Sequence, residues 1–223
     1  MSSESPGSPA PGAHDSRPSR VHVKICGVTT VSDAEMCVAS GASSIGLNFV
    51  PASTRCVTEE TAIDIVSALR GARVLVVGVV ADLSVPDMLA LRSRIGLGCL
   101  QLHGDEAPDA LTPLLPHAYK AVRVGTQADV MRARSYGGEY LLVDALVPGV
   151  LGGTGKLVDF ALVLPLARER KLSLAGGLRP DNVAHAIAAV RPYCVDVASG
   201  VESAPGTKDP AKVRDFIAAA TRA

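Results

Sequence analysis

Val21-His22-Val23-Lys24-Ile25-Cys26-Gly27 is the stretch from which the architecture can be read. Its β-branched residues make a short strand, and Gly27 ends the run. Residues two apart on a strand share a face, so Lys24 and Cys26 point the same way. An ammonium beside a thiol at a strand's C-terminal end favours thiolate. Lys24 reads equally well as a purely structural residue. Cys26 taken alone reads as a buried hydrophobe, and its strand-end position is what makes it a candidate catalyst.

Working outward, the pattern repeats. Apolar strand candidates fall at 21–26, 44–49, 73–80, 98–102, 118–124, 140–144, 171–175 and 194–198. Helical segments are expected near 31–40, 58–70, 84–95, 106–115, 127–137, 157–170, 180–190 and 209–221. Ser32-Asp33-Ala34-Glu35 has the form of a capping box for the first helix. Thr58 and Ser84 are candidate N-caps for the next two, and Gly41, Gly71 and Gly96 sit where helices would end. The strands are too apolar to be half exposed, so parallel strands covered by helices follow. Eight such units predict an α/β fold, a single-domain (β/α)8 TIM barrel over residues 21–223. An open doubly wound sheet is the alternative, but its G-x-G-x-x-G is missing after the first strand, where Gly27-Val28-Thr29 stands. Residues 1–20 are rich in Ser, Pro and Gly and are expected to form a disordered N-terminal tail.

Composition narrows the function classes. Lys plus Arg and Asp plus Glu number 22 each, so no global field recruits nucleic acid or an anionic membrane. No Trp is present, which argues against a base-stacking platform. The cysteines, Cys26, Cys37, Cys56, Cys99 and Cys194, are odd in number and form no C-x-x-C pair. A disulfide framework or a structural zinc site is not expected, and a reduced cytoplasmic setting fits. No apolar run approaches the roughly 18 residues of a spanning helix, and no secretory signal is expected at the N-terminus. Monomer and homodimer are both open.

A barrel demands polar residues at strand C-termini. Cys26 ends the first strand. Asn48 leads into a loop with Ser53, Thr54 and Arg55. Gln101-Leu102-His103-Gly104-Asp105 ends the fourth, Asp144 the sixth, and Asp196 lies in the eighth. Gly176-Gly177 and Ser199-Gly200 form turns after the seventh and eighth strands, where barrels bind phosphate through backbone N–H groups. Gly149–Lys156 resembles a Walker A loop but has one residue too many, and Leu157 replaces the required Ser or Thr. It is better read as a loop over the substrate beside Asp144. Cys37, Cys99 and Cys194 read as small core residues. Cys56 is expected to be exposed, and His117 and His185 to lie on the surface.

These residues closely resemble one family. KICGVTT at 24–30, GLNFVPASTR at 46–55, LQLHGDE at 100–106, LLVDA at 141–145, GGTGK at 152–156, LAGGLRPDNV at 174–183 and VDVASGVESAPGTKD at 195–209 are similar to the motifs of phosphoribosylanthranilate isomerase. The match runs in order from about residue 21 to the C-terminus. The resemblance implies an Amadori rearrangement of N-(5-phosphoribosyl)anthranilate in tryptophan biosynthesis, with no metal and no organic cofactor. It implies Cys26 as general base, Asp144 as general acid, and Arg55 as partner of the anthranilate carboxylate. His103 and Asp196 match positions lining the family's active site, with Lys24 beside them. Gly177 and Ser199-Gly200 match its phosphate turns. Cys56 stands where the family commonly has Tyr, Asn48 is more polar than usual, and Leu157 and Phe160 replace bulkier aromatics. Rival readings are a related barrel isomerase of histidine biosynthesis, which uses Asp where Cys26 stands, a paralogue acting on a modified anthranilate, and a non-catalytic phosphate-binding barrel.

Overall fold

A computed structural model describes residues 20–144 and 160–223. Residues 1–19 of the N-terminal segment, the Gly149–Lys156 stretch and Leu157 lie outside the described residues.

Eight parallel strands close into a barrel in sequence order. They are β1 His22–Cys26, β2 Ser44–Asn48, β3 Leu75–Val80, β4 Cys99–Leu102, β5 Ala118–Arg123, β6 Tyr140–Asp144, β7 Lys171–Ala175 and β8 Cys194–Val197. Between them run α1 Val31–Ala39, α2 Glu59–Ala68, α3 Val85–Ile95, α4 Pro108–Leu111, α5 Gln127–Ser135, α6 Phe160–Glu169 and α7 Val183–Val190, with α8 Pro210–Arg222 last. β8 closes on β1 with Lys24 level with Asp196 and Ile25 with Val197. A (β/α)8 barrel, not an open sheet, is therefore the fold.

Local chemistry starts the helices. Thr58 and Ser84 each accept a hydrogen bond from the amide three residues on, at 3.1 and 3.2 Å. The first helix differs from expectation. It is capped by Thr30, whose hydroxyl accepts from the Asp33 amide at 3.1 Å, so it begins at Val31 and the Ser32–Glu35 box is not used. Gly96 ends α3 at φ 79°, a left-handed conformation that favours glycine. Not anticipated were the 3₁₀ turn Ser199–Val201 and the hairpin β9 Glu202–Ala204 with β10 Thr207–Lys208.

Strand alternation makes two cores. Val23, Ile25, Ile45, Leu47, Leu100 and Leu102 pack outward under the helices. Val77, Cys99, Tyr119, Ala121 and Leu142 fill the barrel interior. Each buried Leu or Ile stabilises by roughly 1.5–3 kcal/mol relative to exposure. Cys37, Cys99 and Cys194 are buried as expected, and Cys56 is exposed. His117 and His185 are exposed too. The interior plug sits below the C-terminal strand ends, so the space above it is left for ligand.

Candidate active site

That space is a cavity of about 310 Å³. Cys26 from β1, Asp144 from β6 and Asp196 from β8 line it because each occupies an inward position at or near its strand's end. His103 and Arg55 reach it from the loops after β4 and β2, and the turns Gly176-Gly177 and Ser199-Gly200 close the far wall. Every expected site residue except Lys24 thus lines one cavity.

Lys24 lies beneath the floor and is 2 % exposed. Its Nζ donates to Asp196 Oδ2 at 2.7 Å and to Gln101 Oε1 at 3.0 Å. Gln101 Oε1 also accepts from the Tyr119 hydroxyl at 3.0 Å. A buried ammonium is tolerable only when its donors are satisfied, and here a carboxylate and an amide do so.

The floor does not produce the resting thiolate that Lys24 suggested. Burial pushes the Cys26 thiol up, Lys24 and Lys208 pull it down, Asp196 opposes them, and the net direction is upward. Burial is the largest of these effects, and it outweighs the pull of Lys24. In the free protein the thiol is thus biased toward its protonated form. It faces Gly46 of β2, where an added Cβ would come within 2.7 Å of Sγ. Any larger residue there displaces the thiol.

Asp144 is the complement. Its Oδ1 is buried without a hydrogen-bond partner among the described residues. Burial raises its pKa, Arg123 opposes, and Asp196 adds to the rise. A largely buried carboxyl with an orphan oxygen is suited to hold and release a proton.

Arg55 is not a free fork. Its Nε and Nη2 donate to the two oxygens of Glu202 at 2.8 and 2.6 Å. Glu202 Oε1 also accepts from Lys208 Nζ at 2.8 Å, and Lys208 donates to the Cys26 carbonyl at 2.7 Å. Two cations around one carboxylate leave a positive excess beside the cavity, which suits an anionic ligand. Glu202 and Lys208 went unnoticed in the sequence because nothing there announces a hairpin folding back on the β2 loop.

Gly176 and Gly177 have φ of 96° and 63°, so only glycine takes this turn without strain. Gly200 packs against the Leu178 carbonyl with no room for a side chain. The amides of Gly177, Ser199 and Gly200 lie in two turns that line the cavity. Backbone N–H groups in glycine-rich turns of this kind are the chemistry of a phosphate cradle. No cluster of three or more His, Cys, Asp or Glu that could hold a metal occurs among the described residues. No described helix is long and apolar enough to cross a membrane.

Fold and site together define a (β/α)8-barrel enzyme with its chemistry at the C-terminal rim. The family model for N-(5′-phosphoribosyl)anthranilate isomerase matches residues 23–219. The N-(5′-phosphoribosyl)anthranilate isomerase of Myxococcus xanthus is 46% identical over 206 residues, covering 90% of this chain and 96% of its own. The crystal structure of phosphoribosyl anthranilate isomerase from Thermotoga maritima superposes with a TM-score of 0.83 at 39% identity, covering 91% of this chain and 100% of that one. A structure of the isomerase in complex with reduced 1-(o-carboxyphenylamino)-1-deoxyribulose 5-phosphate gives 0.80 at 36% identity, covering 91% and 100% of the two chains. The chain belongs to the N-(5′-phosphoribosyl)anthranilate isomerase family, enzymes of tryptophan biosynthesis.

Proposed function

We propose that the protein converts N-(5-phosphoribosyl)anthranilate to 1-(2-carboxyphenylamino)-1-deoxyribulose 5-phosphate, with Asp144 as general acid and Cys26 as general base. The observation that carries this reading is one cavity lined by a carboxyl with an unpartnered oxygen, a thiol and two glycine-rich turns. The substrate phosphate sits on Gly176-Gly177 and Ser199-Gly200. The anthranilate carboxylate takes the edge of Arg55 that Glu202 leaves open. The relative bound to a reduced product analogue supports this substrate class.

The chemistry then follows from protons. Protonated Asp144 gives its proton to the furanose ring oxygen as the C1–O bond breaks, and the anilino nitrogen lone pair forms C1=N. The iminium acidifies the proton at C2. Cys26, once ionised, takes that proton, and the C2–H electrons form the enolamine. Ketonisation returns a proton to C1 and leaves the 2-ketose. Raising the Asp144 pKa keeps the acid form available, a standard route to general-acid catalysis at moderate pH. Asp196 and Lys24 act below, as a fixed ion pair that shapes the floor.

The catalytic unit in this reading is residues 21–223, with residues 1–20 outside it, working in the cytoplasm as a monomer or homodimer. The test is turnover of phosphoribosylanthranilate by purified protein, with rescue of a tryptophan auxotroph lacking the isomerase. Soluble protein that does neither refutes the assignment.

A further inference from the structure

The floor of the cavity fixes the orientation of an amide, and the amide fixes a proton. Gln101 is 1 % exposed, inward on β4. Its Oε1 receives Lys24 Nζ and the Tyr119 hydroxyl, each at 3.0 Å. An ammonium carries donors only, so the oxygen end of the amide must face Lys24. The Lys24 ion pair with Asp196 at 2.7 Å keeps that ammonium charged. Burial works against the charge, but Asp196 and its neighbours prevail and hold the Lys24 pKa well above its ordinary value.

The NH₂ end of Gln101 then points the other way, and Nε2 lies 2.8 Å from His103 Nδ1. An amide NH₂ can only donate, so Nδ1 must accept and cannot carry a proton. A neutral ring with an accepting Nδ1 has its proton on Nε2. Lys24, Lys120 and Arg123 surround the ring with positive charge and Asp196 with negative. Burial is the largest effect on His103, Lys24 the next, and both push its pKa down. The ring lines the cavity.

We propose that Gln101 is a positioning residue that holds His103 as the neutral, Nε2-protonated imidazole, so that His103 gives a hydrogen bond to a substrate oxygen and takes no part in proton transfer. The lone pair that could accept a proton is already occupied by Gln101. His103 is thereby excluded as the base, which leaves that role to Cys26 under the function proposed above. The tautomer stands on the floor geometry alone; the donor role toward substrate rests on the function proposed above.

Nitrogen-15 spectra of the imidazole rings in the full-length protein test this directly, with His103→Asn used to assign the signal. The expected wild-type spectrum at neutral pH shows His103 protonated on Nε2 and bare at Nδ1. Gln101→Glu puts an acceptor opposite Nδ1. It is expected to bring a proton onto that nitrogen and to lower kcat/KM about tenfold, the cost of one misdirected hydrogen bond. Tyr119→Phe leaves Lys24 in place and is expected to keep the wild-type tautomer. A wild-type His103 protonated on Nδ1, or an unchanged spectrum in Gln101→Glu, overturns the proposal. If Gln101→Glu does not fold, the wild-type spectrum still decides. The expected spectrum in a protein that turns over no phosphoribosylanthranilate would support the tautomer and count against the proposed function instead.

Discussion

On the β1, β2 and β8 side of the cavity the charges come in pairs: Lys24 with Asp196, and Arg55 and Lys208 with Glu202. On the β6 side, Asp144 has an oxygen with no partner and no ion pair among the described residues; Asp196 Oδ1 is also unpartnered, but its Oδ2 holds Lys24. The paired side sets shape and field, because each member is held in one geometry by the other. The unpaired side is where a proton can leave and return without breaking an ion pair. Under the proposed function, gripping an anion and shuttling a proton would fall to different halves of the rim.

The largest expected effect tests the paired half. Lys24→Met leaves Asp196 buried and uncompensated, and about 3–5 kcal/mol of folding stability should be lost, read by denaturant unfolding. Stability equal to wild type would mean that the pair holds nothing together.

Next comes the unpaired half. Asp144→Asn should lower kcat by at least about a hundredfold, the usual scale for a lost general acid, with little change in unfolding midpoint. Its pH profile sharpens the point. The productive form needs Asp144 protonated and Cys26 ionised, and both pKa values are raised. Between the carboxyl and thiol pKa values, loss of the acid form is matched by gain of thiolate, so wild-type kcat/KM should be flat. It should fall below the first value and above the second. Without the carboxyl, residual activity should instead climb about tenfold per pH unit up to the thiol's pKa. A bell of wild-type shape in Asp144→Asn would remove Asp144 from the acid role.

Glu202→Gln probes the grip with a smaller change. Arg55 loses half its fork partner, and KM should rise by about tenfold while kcat changes less, as when binding alone is weakened. Deleting residues 1–20 should change neither kcat nor KM, which places the division of labour entirely in the barrel. A large loss would move part of it outside.

The barrel was legible in the sequence because its signals are local. Each strand is a short, mainly apolar run; Cys26 and Asp144 end β1 and β6, and His103 immediately follows β4, and all three line the cavity. The boundaries deviated where two local signals competed, as when Thr30 outran Ser32 for the cap of α1. Pairing was not legible. Lys24 is 172 residues from Asp196 and Arg55 is 147 from Glu202, distances at which only closure of the barrel decides who meets whom. The direction of the Cys26 shift, left open by the sequence, is set mainly by burial, with Lys24 pulling against it and Asp196 adding to it. Tyr119 read as one more apolar strand residue, although its hydroxyl helps orient Gln101.

The raised pKa of Cys26 has a consequence for its reactivity toward electrophiles. Peroxides and alkylating electrophiles attack thiolates far faster than thiols, so a reactive cysteine is usually a vulnerable one. The upward direction at Cys26 therefore predicts slow alkylation of this sulfur by iodoacetamide at neutral pH, compared with a free cysteine thiol.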